Sequence, residues 1–294
     1  MRGKAPLKGI IMASFTNQAQ LTFRDTVTSS NVATGEVLEV LSVSKTAVSN
    51  VYGRDDTVTY IVSIVNSGNT NISGLTVTDN LGAYQFAETT LVPLTYTDGT
   101  IKYYVSGALQ PAPSVAVGTE LTVSGISVPA NGNATLIYEV STNEFAPLPE
   151  GSTIENTVSV SGGGVGPIFD SETISVISLP SLSVTKSISP IPVSDNGTVT
   201  YTFVIQNSGN TPVLASDNSF ITDQFDPILT NVSAAFNGTQ WTLGTEYNYS
   251  ETTGLFESVP GSILVPAATY TQNPLTGAWS LTPGTSTLTI TGTI

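Results

Sequence analysis

Lys45 and Lys186 stand at matching points of this sequence, and each is followed by a Thr-Asp step, Thr78-Asp79 and Thr222-Asp223. From Met12 onward only Lys102 adds a third lysine. A lysine amine and an aspartate carboxyl on neighbouring strands have two possible chemistries. Exposed, they form an ion pair worth roughly 0–1 kcal/mol. Buried beside an asparagine, the amine is pushed toward its neutral form and the carboxyl toward its protonated one. A neutral amine can then attack the carboxamide carbon. Other chemistry is thinly supplied. The chain has no cysteine and no histidine, so it lacks the thiol nucleophile, the commonest general base and the commonest metal ligand. An enzymatic role is not expected, and neither is a cofactor or a metal. Asp55-Asp56, Asp195 and the pair Asp217 and Asp226 do not have the spacing of a calcium loop.

Strands must position these groups. At 294 residues the chain can hold two domains of ordinary size. Only 10% of residues are charged, and the wealth of Ser, Thr, Val, Asn and Gly favours sheet over helix. With a formal charge of −14 and eight Lys or Arg, the chain has little to neutralise phosphates, so no nucleic-acid partner is expected. No apolar run reaches the roughly 20 residues of a membrane span.

The organising feature is an internal repeat. LSVSKTAVSNVYGRDDTVTYIVSIVNSGNT, from Leu41, matches LSVTKSISPIPVSDNGTVTYTFVIQNSGNT, from Leu182. Lys45 and Lys186 precede the Asn-Ser-Gly-Asn turn by the same interval (66 − 45 = 207 − 186 = 21). The stretches Thr57–Val65 and Thr198–Ile205 alternate small polar with large apolar residues, as half-buried strands do. The Asn-Ser-Gly-Asn segments supply turn residues that tolerate positive φ. Short strands between turns, in units of a hundred residues or more, predict β-sandwiches.

The series Leu-x-Val-x-Lys, Thr-Val-Thr-Tyr, Asn-x-Gly-Asn and Val-Thr-Asp resembles a conserved-repeat, immunoglobulin-like family of bacterial surface proteins, formerly a domain of unknown function. The resemblance covers most of residues 41–294 and is strongest at strand starts. It implies a sandwich fold, a surface, stalk or filament role, and no turnover.

The first repeat continues past its Ala134–Val140 strand into two more, at Ile154–Val160 and Glu172–Val176, whereas the second ends with Ser286–Ile294. The expectation is a second sandwich short of its last strands, with an unpaired edge and a wet core. The counterpart of those strands precedes the first repeat: Phe15–Leu21, a turn-rich stretch, and Glu36–Val40 match the 154–176 block in order and in distance to the next lysine (45 − 17 = 28; 186 − 156 = 30). The organisation read from this is 1–11 a leader or false start, 12–40 donor strands, 41–178 a first immunoglobulin-like domain and 179–294 a second lacking its terminal strands. Lys8-Gly9 can be encoded as a ribosome-binding sequence just before Met12, which favours Met12 as the true start.

Because the N-terminal strands run straight into the first domain, folding back onto the second would require a linker that is not there. Insertion into another copy requires none, and such a head-to-tail contact propagates a fibre. The partner is therefore expected to be the chain itself, with Phe15, Asn17, Ala19, Leu21, Val37 and Val40 on the donated strands. The alternative is that residues 13–40 form an extra edge hairpin on the first domain.

Some surface sandwiches of this general kind carry a lysine–asparagine isopeptide bond. Carried over, that assigns Lys45, Asn156 and Asp79 within the first domain, and Lys186, Asp223 and the Asn17 of another copy across subunits. The alternative is a plain lysine–aspartate pair in each domain. Tyr103-Tyr104, Trp241 and Trp279 are candidates for a carbohydrate face, although aromatics in sandwiches more often cap the core. Asn133, Asn196 and Asn237 begin glycosylation-type triplets that follow from composition alone. The leading expectation is an extracellular filament subunit of a cell or spore surface. A monomeric adhesin or stalk module binding a host or carbohydrate ligand stands second.

Overall fold

The computed structural model describes residues 13–37 and 40–294, with side-chain surroundings for 16–34 and from Val40 onward. The leader 1–11, Met12, Leu38 and Glu39 lie outside the described residues. The chain is all-β: apart from one 3₁₀ turn at Ala215–Asp217, every described regular element is a strand. No described helix is long and apolar enough to cross a membrane.

The N-terminal segment forms a hairpin. Strands β1 (Ala13–Asn17) and β2 (Gln20–Phe23) make one limb; β3 (Thr26–Ser29) and β4 (Ala33–Val37) make the other. β1 pairs with β4 and β2 with β3, both antiparallel, across the turn Arg24-Asp25. Arg24 takes a left-handed φ of 52°, as a two-residue hairpin turn requires. The second limb thus lies earlier than the expected Glu36–Val40, because the short turn fixes Asn17 opposite Ala33. Val40 belongs to the next domain: its carbonyl accepts from Ser67 N at 2.8 Å and Ser67 Oγ at 3.1 Å.

The first sandwich packs two sheets. In one, β5 (Leu41–Ala47) is the edge beside β7 (Thr57–Asn66), which pairs with β10 (Gly132–Thr142). In the other, a central β8 (Ile72–Asp79) lies between β9 (Leu121–Val128) and β11 (Thr153–Gly162); β11 pairs with β12 (Val165–Val176), and the two-residue β6 (Val51–Tyr52) closes the edge. Alternation does what period-two patterning demands: Val58, Tyr60, Val62 and Ile64 point inward from β7, and Ile154, Asn156, Val158 and Val160 from β11.

The second sandwich repeats the plan with fewer strands. β13 (Leu182–Ser189), β14 (Thr198–Asn207), β20 (Gly284–Thr293) and β16 (Thr230–Phe236) lie in that order in one sheet. The facing sheet holds β15 (Thr222–Gln224), β17 (Leu255–Ser258) and the short strand Tyr247–Tyr249. Its core centres on Phe203, Phe256, Leu288 and Ile290 and is separate from that of the first sandwich. The two form tandem immunoglobulin-like β-sandwiches.

The Asn-Ser-Gly-Asn turns use positive φ at none of their residues, although the residue types would tolerate it. Their first asparagine is instead a buried staple. Asn66 Nδ2 donates to Thr70 O (2.9 Å) and Pro129 O (3.1 Å), while Asn207 Nδ2 donates to Thr211 O (2.8 Å) and Pro266 O (3.1 Å). Gly209 is small for a different reason: a Cβ there would lie 2.2 Å from Leu179 O, where the inter-domain linker crosses the turn.

A hairpin particular to the second repeat, β18 (Thr269–Gln272) with β19 (Trp279–Thr282), reaches onto the first sandwich. Gln272 Nε2 donates to Tyr84 Oη at 3.1 Å, Trp279 N to Glu144 O at 2.8 Å, and Tyr270 packs against the first core. Asn210 Nδ2 adds a bond to Ile177 O at 2.9 Å. The candidate carbohydrate aromatics do not converge. Tyr103 is core, Trp241 is buried against Phe236, and Trp279 sits at this junction.

Candidate functional site

Lys45 points from edge strand β5 into the first core, where its side chain is fully buried. Asp79, at the end of β8 in the opposite sheet, meets it with a 2.5 Å Nζ···Oδ2 contact. Asp79 is saturated with donors: Leu81 N reaches Oδ1 at 2.7 Å, and the Tyr138 hydroxyl donates to Oδ2. Asn156, on β11, is also wholly buried; Gly82 N donates to its Oδ1 at 3.2 Å. The Tyr60 ring lies 4.6 Å under Lys45 Nζ, and its hydroxyl lies beside Asn156. Yet neither Tyr60 Oη nor Asn156 Nδ2 completes a hydrogen bond. All three residues expected in the first domain are thus gathered around Tyr60, on strands from both sheets.

The electrostatics follow from burial. Removing the Lys45 amine from water lowers its pKa from 10.5 to about 8, against the opposing pull of Asp79. Burial pushes the Tyr138 hydroxyl well up, and the charge of Asp79 adds to that. Tyr60 and Tyr138 were not singled out in the sequence. Tyr60 carried a signal, since Tyr201 repeats it within Thr-Val-Thr-Tyr. Tyr138 carried none, because the second repeat puts Ile290 at that place, opposite Tyr201 as Tyr138 is opposite Tyr60.

The second site holds the same pair in a different setting. Lys186 Nζ pairs with Asp223 Oδ2, but the lysine side chain is 39% exposed. It lies over the rings of Tyr201 (4.6 Å), Phe225 (5.1 Å) and Phe203 (5.4 Å). Among the described residues no asparagine stands where Asn156 stands in the first site, and the reason is topological. β8 is paired on both sides, by β9 and β11, with Asp79 opposite Leu121 and Val158. β15 is paired on one side only, with Asp223 opposite Phe256 of β17. Among the described residues, nothing takes the place of β11 and β12. Along that open side Leu182, Val184 and Phe220 are about half exposed, and an apolar groove of about 190 Å³ runs between Leu182, Val184, Ile205, Phe220, Ile221 and Ile263.

The N-terminal hairpin has the dimensions of the β11–β12 pair. Asn17 lies opposite Ala33 and Phe23 opposite Thr26; Asn156 lies opposite Glu172 and Gly162 opposite Val165. The offset is the same at the base and at the tip (156 − 17 = 172 − 33 = 162 − 23 = 165 − 26 = 139), while in the middle of the second limb the pairing differs by one residue, Val160 facing Ile168 but Leu21 facing Thr28. Asn17, Ala19 and Leu21 therefore correspond to the buried Asn156, Val158 and Val160, yet they are exposed. Phe15 corresponds to Ile154 and Val37 to Val176 by the same offset. Val40 lies beyond the hairpin, packed on the first sandwich.

No family model matches the sequence, and no curated protein matches it. Among solved structures, the chain is similar to BcpA, the major pilin subunit of Bacillus cereus, at 13% identity and a TM-score of 0.36, over 92% of this chain and 73% of that one. It is also similar to the pilus backbone RrgB of Streptococcus pneumoniae (14% identity, TM-score 0.33, 83% and 55% covered). A third is the C-terminal fragment of the major pilin GBS80 of Streptococcus agalactiae (11%, 0.34, 84% and 91%). Likenesses this distant leave function to be argued from the geometry above.

Proposed function

We propose that this chain is the subunit of an extracellular filament on a cell or spore surface. Each copy donates its N-terminal hairpin to the open edge of the second sandwich of the next. The observation that carries the proposal is the coincidence of two halves. Among the described residues, one sandwich leaves β15 unpaired on one side and holds a lysine–aspartate pair with no asparagine beside it. One free hairpin matches, in length and in register at its base and its tip, the pair that fills that edge in the other sandwich. Strand addition satisfies the edge's backbone donors and acceptors and covers its apolar groove. The contact is head-to-tail and does not close, so it propagates.

The donated register is specific. Ser159 lies opposite Thr78 in the first sandwich, so Gln20 of one copy should lie opposite Thr222 of the next. A chain carrying Gln20→Cys and Thr222→Cys has no other cysteines. On oxidation it should give a ladder of disulfide-linked oligomers, with each single variant stopping at dimers. Electron microscopy of the chain from Met12 should show filaments, and the same chain without residues 12–40 should show none. Filaments that survive the deletion, or a double-cysteine chain that stays monomeric, would overturn the reading. In the latter case a monomeric surface module is what remains.

In the same proposal, each finished site is covalent. The Lys45 ammonium passes a proton to the Asp79 carboxylate, leaving a neutral amine and a protonated carboxyl. The amine attacks Cγ of Asn156, whose Oδ1 is held by Gly82 N. The new Nζ–Cγ amide forms as the Cγ–Nδ2 bond breaks, and ammonia leaves. Lys186, Asp223 and the Asn17 of a donated hairpin would do the same between subunits. Intact mass tests this: the monomer should be lighter by one ammonia, and the protein should weigh its full sequence mass if Lys45 and Asn156 stay unlinked.

A further inference from the structure

The two matching hairpins differ at their tips, and the two edges differ in the same place. In the first sandwich the tip is Gly162-Gly163-Gly164, all at positive φ, pressed flat on the start of β8. A Cβ on Gly162 would lie 2.6 Å from Gly74 O, and one on Gly163 would lie 2.7 Å from Ile72 Cγ2 and 3.0 Å from Ser73 O. That edge has no room for a side chain. The N-terminal hairpin carries Phe23 at the position of Gly162, with its ring 67% exposed.

The second sandwich has the room. Val213 bridges to Val265 as Ile72 pairs with Val128, and Asp223 pairs as Asp79 does, which makes Ile221 the equivalent of Val77. The intervening segment is three residues longer ((221 − 213) − (77 − 72) = 3) and turns through the 3₁₀ element, so the edge strand begins only at Thr222. What opens there is the groove lined by Leu182, Val184, Phe220 and Ile263.

The apolar cover changes limb to match. In the first sandwich Val165 and Ile168, on the second limb, pack against the core beside Leu41 and Val43. Val165 lies opposite Gly162 and Ile168 opposite Val160, and the residues so placed in the N-terminal hairpin are Thr26, opposite Phe23, and Thr28, opposite Leu21, which cannot cover Leu182 and Val184. Phe23 supplies on the first limb the apolar surface that the second limb lacks.

Resting on the donation reading, we propose that Phe23 is the residue that selects the docking site. Its ring fills the groove between Leu182, Val184 and Phe220 of a second copy, and its bulk bars the hairpin from an edge of the first-sandwich type. Donated hairpins therefore add to the second sandwich and do not displace β11–β12 from the first.

The test is the critical concentration for filament formation by the full chain, measured by sedimentation. Losing a buried phenylalanine ring should raise it roughly ten- to a hundredfold in Phe23→Ala. Phe220→Ala, at the groove mouth, should raise it too, and the double variant should be no worse than the worse single. Val27→Ala removes an apolar group that is also more than half exposed from the hairpin's other face and should leave it within about twofold. Phe23 touches neither core, so melting of the monomer should not change. Normal assembly by Phe23→Ala, with deletion of residues 12–40 still abolishing filaments, would overturn the plug and leave donation standing. Filaments from the deleted chain would remove both.

Discussion

The Lys45 and Lys186 sites share a lysine–aspartate pair at the same repeat positions, and the structure gives the two pairs opposite environments. Lys45 is sealed under β11 and β12. Lys186 sits at an open edge with more than a third of its side chain in water. Neither the lysine nor the aspartate makes the difference. A neighbouring hairpin does, because the strand that carries the asparagine is also the one that excludes solvent. Under the proposed function, chemistry that needs a neutral amine is coupled to the completion of a sheet.

Substitution sharpens the contrast most. Lys45→Met leaves the Asp79 carboxylate buried without its cation and should cost about 3–5 kcal/mol in denaturant unfolding of the first sandwich. Lys186→Met, at a solvated pair, should cost about 1 kcal/mol or less in the monomer. Equal costs would break the comparison.

Alkaline pH gives the next largest effect. The folded pKa of Lys45, about 8, lies below the 10.5 of a lysine in water. Between those values the unfolded chain holds a proton that the folded chain has released, so stability of the unlinked protein should rise from pH 8 to 10.5. The gain is on the order of 3 kcal/mol. Lys45→Met should abolish the slope and Lys186→Met should leave it. A protein already linked through Lys45 should show no slope, which ties this measurement to the mass.

Smaller effects test how far the repeats are alike. Tyr138→Phe removes one donor from Asp79 and should cost about 1–3 kcal/mol; the second site has no counterpart to remove. Asn66→Ala and Asn207→Ala should each cost about 1–3 kcal/mol, since the two staples have matching partners. A large disparity between them would mean that the repeats share a sequence but not a turn.

Much of this was legible in the residues. Period-two alternation marked β7 and β14, and the constant 21-residue interval from lysine to asparagine fixed the repeat. The trio Lys45, Asp79 and Asn156 could be named because the repeat singles out the lysine and the aspartate and the resemblance to surface sandwiches with a lysine–asparagine bond points to the asparagine. The staple role of Asn66 could not, because its acceptors Thr70 O and Pro129 O are brought together only by the folded turn. Tyr138 escaped because nothing in the second repeat echoes it.

By itself, then, the sequence determined the strands, their faces and the pairing of one repeat with the other, since alternation and repetition are local properties of a chain. Only the tertiary structure decided which lysine is dry, which edge is open and where a tip must be glycine or can be phenylalanine. Those depend on what lies across the sheet, and residues distant in sequence supply it.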